Sequence, residues 1–235
     1  MIIPTLQRAD LRPLVDQCIA HPLVGEVLVI NNASAPLSWA SPKVRVFDQT
    51  ENIYVNPAWN LGAREARGEY LAIVNDDVLF ENEALEEAAS ILQRGIHGLV
   101  IPDASCFHDL PNGRIAHRPA PYPNDFFGTF MCLRKSDFIP VPDDMLIWGG
   151  DDWLFLSAKR MPTALIRTRF VTDMHKTSGS TEFFGIRQEN WYASQRRLGS
   201  KHPDGIGRGE VPHRAWHLIR SSYAALQSVR RRWGR

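Results

Sequence analysis

The first hundred residues alternate short apolar runs with segments of helical periodicity, and that alternation restricts the chain to a mainly parallel sheet with crossover helices. "MIIP", "VGEVLVI", "KVRVF", "YLAIV" and "HGLVIP" read as strands. Between them, "LRPLVDQCIA" carries apolar residues at helical spacing. Asn56-Pro57 reads as an N-cap with proline at the first helical position, and Gly68 as the stop after "AWNLGAREAR". A further helix is expected from about Asn82 to Arg94, closed by Gly95. "TALIRTRFV" reads as a late strand. There is no internal repeat and no low-complexity segment.

A chain of 235 residues with 44% hydrophobic content suits one α/β domain with an appendage better than two full domains. No segment approaches the roughly 18 consecutive apolar residues that span a bilayer. The N-terminus "MIIPTLQRAD" lacks a basic region followed by an apolar stretch, so no secretory signal is expected. Cys18, Cys106 and Cys132 are odd in number and widely spaced, which argues against a disulfide framework or a zinc site and fits a cytoplasmic protein. The net charge of +1 implies no bulk attraction to nucleic acid.

In open sheets of this kind, ligands bind beyond the carboxyl ends of the strands, where strand order reverses. Three expected strand ends are polar: Thr5 after "IIP", Asn31-Asn32 after "LVI", and Asn75-Asp76-Asp77 after "AIV". Adjacent carboxylates at the end of a buried strand suit a hard divalent cation that also takes substrate phosphate oxygens. The competing reading of the same tripeptide is a solvated turn with acids near the start of a helix.

"IIPT", "VLVINNAS", "NPAWNLGAREARGEYLAIVNDDV" and "WGGDDWLF", in this order and spacing, resemble the nucleotide-diphospho-sugar transferases of the GT-A fold, nearest to glycosyltransferase family 2. The resemblance implies a Rossmann-like mixed, mainly parallel sheet flanked by helices. It implies a catalytic domain over residues 1–185, with a sugar-nucleotide-binding half at 1–102 and an acceptor half at 103–185. Residues 186–235 then form a helical, basic C-terminal extension.

Residue by residue, the resemblance implies that Asp77 contacts Mn²⁺ or Mg²⁺ and that Asp76 lies near the ribose or the metal. Pro4, Thr5 and Asn60 match donor-nucleotide positions. Asn32, after Asn31, replaces the usual acidic pair that reads the base, and Asn75 replaces the usual first acid. An amide oxygen still accepts from a uracil N–H, so a UDP-sugar remains the favoured donor, with other nucleotides open.

"WGGDD" resembles the acceptor-side motif of inverting GT-A enzymes, including β-galactosyltransferases. That likeness implies Asp152 as the base that takes the acceptor proton, and Asp151 as a contact to acceptor hydroxyls, with a slip of one residue open. Trp148 and Trp153 would wall the acceptor, or simply pack. His175 is implied as a further metal ligand, with Lys176, Thr177, Ser178 and Ser180 around the diphosphate. The resulting reading is a metal-dependent inverting transferase acting on a glycan or lipid-linked acceptor, in cell-envelope polysaccharide or glycoconjugate synthesis.

From Val211 to Arg235 there are six arginines and no acid, with Trp216, Ile219, Tyr223, Leu226 and Trp233 near one helical face. Such a helix suits peripheral contact with an anionic membrane, and equally suits packing on the domain or a partner. Two other classes share this kind of fold. A sugar nucleotidyltransferase usually carries a Gly-rich basic loop after the first strand, which "PTLQRADLRP" lacks. A non-catalytic sugar- or nucleotide-binding scaffold accommodates the asparagines at 31, 32 and 75, but not the retained acids.

Overall fold

The computed structural model describes residues 1–172 and 181–198. Its elements are β1 (Ile2–Thr5), α1 (Arg12–Ala20), β2 (Val27–Asn31), β3 (Val44–Asp48), α2 (Val55–Glu65), β4 (Tyr70–Val74), β5 (Leu79–Phe80), α3 (Glu83–Gln93) and β6 (Leu99–Pro102). They continue with β7 (Ala116–Pro119), β8 (Phe130–Arg134), α4 (Gly150–Ser157), β9 (Thr163–Ile166), β10 (Phe170–Val171) and α5 (Phe184–Leu198). Eight strands form one mixed sheet in the order β3-β2-β1-β4-β8-β6-β9-β7. Its first four strands are all parallel. β8 runs antiparallel between β4 and β6.

Strands β1 and β2 are buried along their whole length, as parallel strands covered on both faces must be. Side chains alternate between the two faces. Ile2, Leu28, Ile30 and Ile73 point into a core shared with Ala58, Trp59 and Ala63 of α2 and with Leu154 and Phe155 of α4. Ile3, Val27, Val29 and Val74 point the other way, against Leu14 and Val15 of α1 and Ala84, Ala88 and Ile91 of α3. Each fully buried Leu or Ile contributes on the order of 1.5–3 kcal/mol. Helix α2 lies so close to β1 that a Cβ at Gly62 would run into the Ile2 side chain.

The expected strands and helices of the first hundred residues are present, with one local difference there and two further along the chain. Helix α2 starts at Val55 rather than after Asn56, so Asn56 sits inside its first turn instead of capping it. The late strand "TALIRTRFV" is two strands in different sheets, broken at Arg167, whose φ of 62° is left-handed. The loop-rich stretch after Cys106 contains β7, which pairs antiparallel with β9 at the sheet edge. There Arg118 pairs with Asp103, and His117 Nδ1 lies 2.8 Å from Glu87 Oε1.

Helix α5 crosses the expected boundary at residue 185, and its Ala193 and Leu198 belong to the same core as α2 and α4. No helix among the described residues is long and apolar enough to cross a membrane. The aromatic and basic tail from Trp216 to Trp233 lies outside the described residues.

Candidate active site

Strand order reverses between β1 and β4, since β2 and β3 extend from one side of β1 while β4 lies on the other. A cavity of about 360 Å³ opens at this point, beyond the carboxyl ends of β1, β2 and β4. It is lined by Pro4, Thr5, Asn32, Asp76 and Asp77 from the strand ends, and by Trp148 and Asp151 from the segment entering α4. Four carboxylates line it, those of Asp76, Asp77, Asp125 and Asp151, and no Lys, Arg or His does so among the described residues.

The tips of β1 and β4 are joined directly. Thr5 Oγ1 donates to Asp76 Oδ2 at 2.6 Å and accepts from the Gln7 amide at 2.8 Å. Burial pushes Asp76 up to about 6; the Thr5 hydrogen bond opposes that rise and the Asp77 charge adds to it. Asp77 Oδ2 accepts from Thr172 Oγ1 at 2.8 Å. Thr172 follows β10, which pairs with β5 through Phe170 opposite Phe80. The Phe80, Phe130 and Phe170 rings pack with centroids 5.0–6.0 Å apart and hold this small sheet in place.

His175 follows three residues after Thr172, but it lies outside the described residues, as do Lys176, Thr177, Ser178 and Ser180. Among the described residues, no group of three His, Cys, Asp or Glu side chains could hold a metal. The donor set at the cavity nevertheless fits a hard cation. Asp76 and Asp77 are adjacent, oxygen-only, and each has a carboxylate oxygen beyond the one taken by a threonine.

Helix α4 begins after Gly149, whose φ of 80° turns the chain sharply into the helix. The first turn then carries Asp151 and Asp152, whose charge a helix N-terminus favours. Asp151 lies against Gly128: a Cβ there would overlap the carboxylate, with Asp151 Cγ only 3.0 Å away. Burial raises the Asp151 carboxyl, against the Asp152 amide that donates to its Oδ1 at 3.0 Å. Burial, and then the neighbouring Asp151 charge, push Asp152 up to about 7. Two adjacent acids shifted in this way titrate as a pair.

The remaining expected residues divide into those that face the cavity and those that support it. Asn32 lines it, while its Oδ1 also accepts from the Ile53 amide at 3.3 Å. Asn31 is fully buried and holds the turn after β2 through Gln7, Ala33, Ala35 and Asp48. Asn60 lies outside the lining: both ends of its amide engage the Val141 backbone, at 2.8 and 2.9 Å. Of the two tryptophans, Trp148 lines the cavity, whereas Trp153 packs at the edge of the core. Asp152 is absent from the lining and lies one residue beyond Asp151.

Sequence reasoning missed Asn52, Tyr54, Asn124, Phe126 and Phe183, all of which line the cavity. Tyr54 and Phe126 carry φ of 68° and 67°, rare for residues with side chains, and Tyr54 meets Phe183 edge to face at 6.2 Å. The one signal available was the Asn-, Asp- and aromatic-rich "PNDFFGT".

The glycosyl transferase family 2 model matches residues 1–139, more than half of the chain. The chain belongs to that family. Its GT-A architecture is shared with a crystal structure of S. aureus TarS residues 1–349, at TM-score 0.64 and 14% identity over 93% of this chain and 69% of that 1–349 chain. It is shared also with GalNAc-T7 solved with UDP, GalNAc and Mn²⁺, at TM-score 0.57 and 11% identity over 93% of this chain and 54% of the other. The mannosyltransferase PcManGT from Pyrobaculum calidifontis, solved with GDP-Man and Mn²⁺, aligns at TM-score 0.50 and 16% identity over 98% of this chain and 81% of its own. No curated protein matches the chain. At these identities the structural likeness carries the fold, and the chemistry of this family 2 member rests on its own site.

Proposed function

We propose that this protein is a metal-dependent inverting glycosyltransferase that moves a sugar from a nucleoside-diphosphate sugar to a hydroxyl of a glycan or lipid-linked acceptor. The observation that carries the reading is the cavity at the strand-order reversal of a family 2 chain. It gathers carboxylates from β4 and α4 with no basic side chain among the described residues. An anionic diphosphate would be repelled there unless a cation shared the site. Asp77, Asp76 and, from the sequence, His175 would hold Mn²⁺ or Mg²⁺, which supplies charge neutralisation at the diphosphate. TarS solved with UDP-GlcNAc and PcManGT solved with GDP-Man and Mn²⁺ support a nucleotide-sugar donor, UDP-sugars being favoured.

The chain's own residues do the rest. Pro4, Thr5 and Asn32 bind the nucleoside along the strand tips, and Thr5 keeps the Asp76 carboxylate oriented. Lys176 and Ser178 contact diphosphate oxygens. Asp151 contacts hydroxyls inside the cavity, with Trp148 as a wall for the acceptor. Asp152 takes the proton from the acceptor O–H as that oxygen bonds to the anomeric carbon. The bond from that carbon to the diphosphate breaks with its electron pair, and nucleoside diphosphate leaves with inversion. A base near pH 7 is well matched to this task at neutral pH. Cell-envelope polysaccharide or glycoconjugate synthesis is the setting that a glycan or lipid-linked acceptor implies, at the cytoplasmic face of a membrane.

A donor assay tests the reading. Metal-dependent release of nucleoside diphosphate from UDP-GlcNAc, GDP-mannose or another sugar nucleotide is the expected result. A requirement for nucleoside triphosphate would mark a sugar nucleotidyltransferase instead, and binding without turnover would mark a scaffold. Comparing Asp151→Asn with Asp152→Asn then assigns the base: the variant that loses the pH dependence of transfer carries it.

A further inference from the structure

The segment Met145–Trp148 enters the acid-bearing helix α4 without secondary structure of its own, so its peptide groups need partners from elsewhere. Two buried asparagines, one on α2 and one on α5, supply them. Asn56, fully buried in the first turn of α2, donates from Nδ2 to Met145 O at 2.7 Å, and its backbone N–H donates to Leu146 O at 2.9 Å. Asn190 of α5, 2% exposed, accepts at Oδ1 from the amides of Ile147 at 2.6 Å and Trp148 at 3.2 Å. Four consecutive residues are thus held, Met145 by the donor end of one amide side chain, Leu146 by the same residue's backbone N–H, and Ile147 and Trp148 by the acceptor end of another.

Asn56, and Ser194 one turn along α5 from Asn190, also sit against the glycine pair that turns the chain into α4. A Cβ on Gly150 would lie 2.7 Å from Asn56 Nδ2, and one on Gly149 2.8 Å from Ser194 Cβ on α5. Ile147, Trp148 and Asp151 line the cavity, so the seating of this segment sets where the α4 carboxylates stand relative to the strand tips. Asn56 belongs to the donor half. Asn190 lies beyond residue 139, where the family match ends.

We propose that Asn56 and Asn190 form a two-residue clamp that positions the Asp151–Asp152 turn for the transfer step, making α5 part of the active-site scaffold; this rests on the transferase reading above. They are positioning residues, since neither touches the reacting atoms. Toward residues 145–148 their side chains act in opposite senses, and the opposition is testable; Asn190 Nδ2 also donates to Asp144 O, at a longer 3.4 Å. An aspartate at 190 keeps an acceptor for the Ile147 and Trp148 amides, whereas an aspartate at 56 loses the Nδ2 donor to Met145 O and sets a carboxylate against that carbonyl.

The experiment measures three quantities on the full chain for the wild type, Asn190→Ala, Asn190→Asp and Asn56→Asp. These are kcat of sugar transfer, Kd for nucleoside diphosphate with Mn²⁺, and amide hydrogen exchange over residues 145–152. Asn190→Ala should lower kcat by about ten- to a hundredfold through misplacement, leave Kd within about twofold, and speed exchange of the Ile147 and Trp148 amides. Asn190→Asp should recover most of the lost rate and protection; Asn56→Asp should recover neither. Equal effects of aspartate at both positions, or unchanged exchange in Asn190→Ala, would overturn the clamp. If the wild type itself shows no transfer, the functional reading fails, while the exchange arm still decides whether the clamp exists.

Discussion

Replacing Asp152 by asparagine should make the protein more stable in alkaline solution while removing its activity. Folding raises the Asp152 carboxyl to about 7, roughly three pH units above an ordinary aspartate, because the site is desolvated and Asp151 is adjacent. A group whose protonated form is favoured by folding costs nothing below its unfolded pKa. The cost grows as pH rises through the interval from about 4 to about 7, and is complete above it. At 1.36 kcal/mol per pH unit the full cost is about 4 kcal/mol, of which the neutral isostere should recover roughly 2–4, since Asp151 responds to the same change. Urea unfolding of wild type and Asp152→Asn at about pH 8 and about pH 4 measures it: the variant should gain that amount at the higher pH and little at the lower. Equal stability differences at both pH values, or a variant less stable at about pH 8, would refute the electrostatic origin of the shift.

Thr5→Val removes the hydrogen bond that holds Asp76 down, so the Asp76 titration followed by carboxyl carbon NMR should move up from about 6, by roughly one to two pH units. An unmoved midpoint would mean that the hydroxyl does not govern this carboxylate. Gly128→Ala places a methyl group into the Asp151 carboxylate; kcat should fall about tenfold or more, with a stability loss of about 1–3 kcal/mol by urea unfolding.

Much of this architecture was legible because the chain speaks strongly where burial is complete. The buried runs of β1, β2 and β4 lead into polar tips, and Thr5, Asn32, Asp76 and Asp77 from those tips meet in the cavity. β5 and β10 are two residues each, too short for a periodic pattern, and they exist because Phe80 and Phe170 pack with Phe130. β7, "AHRP", carries little apolar signal and is held at an edge by β9.

In the site, acids beside turns were visible, but the contacts that seat them are long-range. Asn56 meets Met145 from 89 positions away, and Asn190 meets Ile147 from 43. The spacing that suggested an N-cap at Asn56 reflected a local preference that its tertiary contact with Met145 overrides. Asn60 was expected at the nucleotide because its motif matched, yet its amide engages the Val141 backbone.

On the proposed reading, β4 leads into two adjacent carboxylates because a metal-bound diphosphate sits there. Calorimetric binding of nucleoside diphosphates and sugar nucleotides, with and without Mn²⁺, to wild type and Asp77→Ala tests it most directly. Metal-dependent binding of one nucleotide to the wild type is expected, weakened in Asp77→Ala by at least about 100-fold in Kd, while the variant keeps the wild-type fold. Tight binding that ignores both the metal and the substitution, or no binding of any nucleotide to either protein, would contradict it.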